Sequence, residues 1–295
     1  MLKTIVLLML STFALSTGAS GCHAKQNAAL PPQTPNSETT TKGLKVLAEG
    51  FHSSVTNPFI AVVRDAETYS ELTRLDNNLP KLDEEFFKSN IVVAAFLGER
   101  NTGGYSVEIT REANGDTRIS EKAPGKGVMV PQMVTSPFKL VSVPVGGAPP
   151  VLLSLDGKWR QRMRSYRVTG GRFTMSGGIA GTAEQFGLEG EMRTIRENSL
   201  VTFIFGVLSS GPEKKRSLID FTTGVVNPDG HLAINKMSAD SLVNPPNAGL
   251  KVTGTFTGGD SKISLSLNSL PTMIADGYSG VGTIEATLIN SAPKP

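Results

Sequence analysis

The chain has 295 residues, 29 basic and 26 acidic, with a formal net charge of +3, 39% hydrophobic residues, 31 glycines, three histidines and one cysteine. A single cysteine excludes a disulfide framework and a thiolate cluster, and three histidines leave little material for an imidazole metal site, so no metal or other cofactor is implied. The near balance of charge lacks the basic excess of a dedicated nucleic-acid binder, and the length exceeds the roughly 100–200 residues of one domain, so two cores are expected.

In chain order, the first feature is Lys3, then an apolar run from Ile5 to Leu15 and the small residues Ser16 to Gly21. This is the pattern of an export signal. Its apolar run falls well short of the roughly 20 residues that span a bilayer, so residues 1–21 read as a removed signal peptide. Ala19-Ser20-Gly21-Cys22 resembles the lipobox of bacterial lipoproteins. The resemblance implies that Cys22 carries lipid, with palmitate-like chains that each contribute about 0.8 kcal/mol per buried methylene. Residues 22–43 are rich in Ala, Pro, Gln, Asn, Ser and Thr and bury too little apolar surface to offset their ordering entropy; they read as a disordered tether. The expected location is the bacterial cell envelope. His23, where an Asp retention signal would stand, implies the outer membrane if the cell is Gram-negative.

Residues 44–144 form the expected first domain. Leu44 to Glu49 alternates as a strand, and Phe59 to Val63 is a short apolar run. Asp65 is placed to cap a helix from Ala66, with Tyr69, Leu72 and Leu75 at helical spacing. Asp83-Glu84-Glu85 puts acids at the start of a second helical turn bearing Phe86 and Phe87. Ile91 to Leu97 reads as a buried central strand, Gly98 to Gly104 as a polar turn, and Tyr105 to Ile109 as a strand leaving it. Asn114-Gly115-Asp116 predicts a hairpin. Gly103 and Gly104 permit close backbone approach, and Tyr105 brings an aromatic face with a polar tip; the three are candidate interaction residues, against the plainer reading of a strand-initiating turn.

The segment Ile91 to Ile109, IVVAAFLGERNTGGYSVEI, together with VTSPFKLVSVP from Val134 to Pro144, resembles the C-terminal domain of the PrcB-like family. The resemblance implies an α+β fold and a non-enzymatic role as a stability protein for a protease complex, often as a lipoprotein. It supplies no catalytic residues.

Residues 145–150 read as a linker, and 151–293 as a second, β-rich domain. Short alternating segments recur at Tyr166–Gly170, Arg172–Ser176, Thr202–Val207, Leu218–Thr222, Leu232–Asn235, Lys251–Thr257, Lys262–Leu267 and Gly282–Leu288. They predict an antiparallel sandwich or barrel-like domain of about eight strands. Lys158, Arg160, Arg162, Arg164, Arg167 and Arg172 fall in a stretch without an acid. If extended, Arg160, Arg162 and Arg164 share one face, a basic strip suited to an anionic surface or, more plainly, a solvated strand edge.

The sequence therefore predicts an α+β domain, with a small mixed or antiparallel sheet and one or two helices, followed by an all-β domain. No Gly-x-Ser-x-Gly elbow or His-Glu-x-x-His helix is present, and an enzyme is not expected. The leading expectation is a membrane-anchored lipoprotein acting as a protein-interaction module for an exported protease or another envelope protein. The alternative is a lipoprotein whose β domain binds a small apolar or glycan ligand.

Overall fold

Apolar runs that need burial on both faces determine the first sheet of the computed structural model, which describes residues 43–113, 115–145, 151–155, 158–177, 183–210, 216–239, 249–271 and 277–289. The signal segment, Cys22, the tether through residue 42 and the linker residues 146–150 lie outside the described residues. Strands β1 (Lys45–Gly50) and β2 (Phe59–Val63) are followed by α1 (Ala66–Leu75) and α2 (Glu84–Ser89). Asp65 caps α1, its Oδ1 accepting from the Thr68 amide at 2.8 Å, and Asp83 caps α2, accepting from the Phe86 amide at 3.0 Å. Both caps satisfy donors that the first helical turn leaves open.

Strand β3 (Asn90–Phe96) is buried along nearly its whole length, as a central strand requires. After it come β4 (Ser106–Arg111), β5 (Thr117–Lys122) and β6 (Phe138–Pro144). Four of these strands form an antiparallel sheet in the order β1-β6-β3-β2. The β4–β5 hairpin turns at Gly115, whose φ is +90°, and β7 (Leu153–Leu155) adds to β5 in parallel, making a small mixed sheet.

The chain then makes a helical turn, α3 (Lys158–Gln161), whose Trp159 is buried and donates from Nε1 to the Phe96 carbonyl at 2.9 Å. Beyond it, β8 (Arg164–Gly177), β9 (Ala183–Glu197), β10 (Leu200–Ser210), β11 (Ser217–Val226), β12 (His231–Ser238), β13 (Gly249–Thr257), β14 (Lys262–Ser269) and β15 (Tyr278–Leu288) close into an antiparallel barrel. The expected α+β region followed by a barrel-like all-β region is the architecture observed. The eight strands differ in detail from the expected segments. Tyr166–Gly170 and Arg172–Ser176 are one strand with a bulge against β9, and β9 itself carries no alternation long enough to announce it.

Eight strands leave an interior just wide enough for side chains to fill. Phe203, Phe205 and Phe256 stack there with ring centroids 5.4 and 6.0 Å apart, among Met192, Val252, Leu265 and Ile284. Gly282 makes room for the Phe173 ring, since a Cβ at that position would lie 2.6 Å from Cδ2. The outward positions of β13 to β15 are mostly hydroxylic or charged, among them Thr253, Ser266, Thr283 and Glu285, with the exposed Val281 an apolar exception. That is the reverse of a membrane barrel, which turns its apolar band outward. Among the described residues no helix is long and apolar enough to cross a membrane.

The barrel wall at β10 and β11 is different, because β2 lies against it. β2 is the edge of its sheet, and its free backbone groups are met by threonine hydroxyls. Thr202 Oγ1 donates to the Ile60 carbonyl at 2.6 Å, and Thr223 Oγ1 accepts from the Val62 amide at 2.8 Å. Leu200, Phe221 and Ile195 join the core of the first sheet. Ladder pairing between β11 and β12 is confined to Val225↔Ala233 and Val226↔Leu232. Beyond it side chains take over: Thr222 Oγ1 donates to the Lys236 carbonyl at 3.3 Å, and Asp220 Oδ2 accepts from the Ser238 amide at 2.9 Å. Asp220 Oδ1 accepts from Arg64 Nη2 at 2.7 Å and from the Val151 amide at 2.8 Å. Burial pushes the Asp220 carboxyl up, while the Arg64 charge and the two amides pull against that shift. The seam of the barrel is thus completed by an arginine that directly follows β2.

Candidate functional site

The turn between β3 and β4 is organised by Arg100, a residue that sequence reasoning passed over as part of a polar turn. Its guanidinium is buried and forms a bidentate pair with Glu121, Nε to Oε1 at 3.2 Å and Nη2 to Oε2 at 3.0 Å. Nη1 also donates to the Leu97 and Glu99 carbonyls, each at 2.8 Å. The guanidinium lies over the Tyr105 ring, 5.7 Å from its centroid. A buried cation is tolerable only with this degree of pairing, and the fork geometry of arginine supplies it. Tyr105 is half-buried and packs on the first core, so its ring braces the turn.

Arg100 also holds the long loop that precedes β6. Its amide donates to the Thr135 carbonyl at 2.7 Å, and the Thr135 amide returns a bond to the Arg100 carbonyl at 2.9 Å. The Gly103 amide donates to Pro131 at 2.9 Å. Gly104 adopts φ +83°, and a Cβ there would lie 2.8 Å from Val130 Cγ1 and 3.0 Å from Pro124 Cβ. The two glycines are therefore the bed on which residues 123–137 rest.

That loop exposes Val128 at 60%, Met129 at 97%, Met133 at 46% and Val134 at 58%. Phe51, at 48%, lies beside it through the Ser136 amide, which donates to the Phe51 carbonyl at 2.7 Å. These are five of the nine large apolar side chains exposed among the described residues. Grouped exposed apolar side chains of this kind are typical of contact surfaces, and methionine is a side chain whose shape adapts readily to a partner.

The basic stretch folds differently from a strip. Residues 158–161 are a helical turn, so the alternation expected of an extended chain does not apply, and Arg160 is separated from Arg162 and Arg164. Arg160 is exposed on that turn. Arg162 bridges the two regions, Nη1 donating to the Pro58 carbonyl at 2.7 Å and to Glu197 at 3.0 Å, and Nη2 to the Arg196 carbonyl at 3.2 Å. Arg164 opens β8 and pairs with Asp260 at 3.2 Å. The acids absent from the local sequence arrive from β9 and from the β13–β14 turn. Arg162, Arg164 and Arg196 line a cavity of about 140 Å³ with Tyr166, Thr194, Val201, Phe256 and Asp260.

Among the described residues no group of acids, histidines or cysteines is placed to hold a metal ion. His231 is exposed 3.7 Å from Asp229, and His52 is exposed.

Residues 91–144 match the family model described as PrcB C-terminal, a span from β3 through β6 that includes the braced loop. No curated protein matches the chain. Among solved structures, a mutant of the vaccine antigen transferrin binding protein B from Haemophilus parasuis is similar at 12% identity and a TM-score of 0.30, covering 68% of this chain and 35% of that one. The chain thus spans about a third of the length of that structure.

Proposed function

We propose, proceeding from the PrcB-like character of residues 91–144, that this protein is a non-enzymatic interaction module that supports an exported protease or another envelope protein complex. The observation that carries the reading is the loop of residues 123–137. Its Val128, Met129, Met133 and Val134 face solvent although its backbone is tied down by Arg100, Thr135 and Gly103. A surface fixed before binding loses little entropy when a partner arrives, and it lies on the same segment as the family match. The barrel interior is filled by its own side chains among the described residues, and the alternative of an apolar ligand held there draws no support from it.

The module is held at the cell envelope by lipid on Cys22, the reading that the small-residue run before it supports. Replacing Cys22 by Ala should release the protein from the membrane fraction and abolish fatty-acid labelling; unchanged labelling overturns the anchor. The interaction itself is tested by co-purification from detergent-solubilised membranes. Wild type should retain a defined protein partner at fixed stoichiometry, and Met129→Ser combined with Met133→Ser should lose it while melting at the same temperature. A partner retained equally by both proteins overturns the assignment of this loop.

A further inference from the structure

Arg164 and Arg196 converge on one carboxylate oxygen, Asp260 Oδ2, at 3.2 and 3.6 Å. Two guanidinium groups sharing one acid oxygen leave donors and one positive charge over. Arg162, in the same cavity, is matched by Glu197 and does not draw on Asp260. The four charged groups that line this cavity, with the Glu197 paired to Arg162, therefore sum to one net positive charge around a space of about 140 Å³. That volume suits a single oxyanion group. The floor is the buried pair Val201 and Phe256, where charge–charge attraction is less screened than at an open surface.

The acid already present is held from outside the cluster. Asp260 sits in the left-handed region at φ +65°, in the turn between β13 and β14, and its backbone carbonyl accepts from the Tyr166 hydroxyl at 2.9 Å. Its position is thus fixed by its backbone, while its carboxylate is partly exposed at 29%, so turning it off the arginines would leave the backbone bond of the turn in place. Arg164 and Arg196, at 53% and 37% exposed, remain accessible from solvent.

We propose that this pocket binds one phosphate-class oxyanion, as free phosphate or as a phosphorylated lipid headgroup, with Asp260 acting as the resident counter-ion that the ligand displaces. Guanidinium groups favour this chemistry because their several N–H donors match the oxygens of a tetrahedral anion.

The test is calorimetric titration of inorganic phosphate into the full chain at low ionic strength. Wild type should bind saturably. Arg164→Gln with Arg196→Gln should weaken binding by about tenfold or more, the loss expected from one or two charge-assisted hydrogen bonds. Asp260→Asn, which keeps a residue tolerant of positive φ and removes the competing charge, should tighten it. Arg167→Gln, on the same strand but outside the cavity, should leave it unchanged within about twofold, beyond the general effect of one lost charge. Flotation with phosphatidylglycerol and phosphatidylcholine vesicles separates the sources: binding to the first alone, lost in the double variant, identifies a headgroup, whereas phosphate binding without flotation identifies the free ion. Absence of saturable phosphate binding, or equal weakening by Arg167→Gln and the double variant, overturns the proposal. Melting temperatures of each variant show whether the fold survives.

Discussion

The barrel has two kinds of wall. On β10 and β11 the outward residues Leu200, Thr202, Ile204, Phe221, Thr223 and Val225 each pack on or bond to the first sheet or its core. On β13 to β15 the equivalent positions are Thr253, Ser266, Thr283 and Glu285, and they face solvent. The difference teaches that the barrel is a support for the sheet as much as a unit of its own. Most of its apolar outer surface is already used, with Leu208, Ile219 and Val281 left exposed on it, whereas Val128, Met129, Met133 and Val134 are gathered on the loop of residues 123–137.

The largest test of that contrast is Asp220→Ala. It strips Arg64 of a buried partner and leaves the amides of Val151 and Ser238 without their acceptor. A loss of about 3–5 kcal/mol is expected in denaturant unfolding, as for other broken buried pairs, with both regions melting in one transition. If only the barrel signal moved, the covered wall would not couple the regions.

Thr223→Val, nearly isosteric, removes the acceptor of the Val62 amide at the edge of β2. It should cost about 1–3 kcal/mol. Replacing Thr253 or Ser266 by Ala on the open wall should change stability by less than about 0.5 kcal/mol. Comparable effects on both walls would contradict the distinction.

A smaller, pH-dependent effect comes from α1, which packs on the covered wall. Burial pushes the Tyr69 hydroxyl up to about 12, and it donates to the Pro80 carbonyl at 2.8 Å. The folded value lies above the unfolded one near 10, so this contribution is complete below about pH 10 and is lost as pH rises toward 12. Tyr69→Phe should lose about 1 kcal/mol at neutral pH and show a shallower alkaline decline in stability.

Much of this fold was legible because its determinants are local. The buried runs of β2 and β3, the caps at Asp65 and Asp83 and the hairpin at Gly115 each rest on neighbouring residues. Strand β9 was not, because Gly187 and Gly190 interrupt it and its buried apolar residues Leu188, Met192 and Ile195 do not keep a period of two. The pairing of Arg64 with Asp220, 156 residues apart, carries no local signal either. The same holds for Arg162 and Arg164, whose acids Glu197 and Asp260 are distant in sequence. At the candidate site Gly103 and Gly104 were visible as a place of close approach, but what approaches them, Pro124, Val130 and Pro131 of a loop well downstream, was not. Arg100 had one available signal: a bulky cation in a glycine-rich turn immediately after a fully buried strand.

The proposed partner-contacting surface is the loop of residues 123–137. Amide hydrogen exchange of the full chain, alone and with the partner recovered by co-purification, tests it most directly. Added protection is expected at residues 126–134 and around Phe51, with β13 to β15 unchanged. Protection confined to the open wall of the barrel, with the loop unaffected, would contradict it.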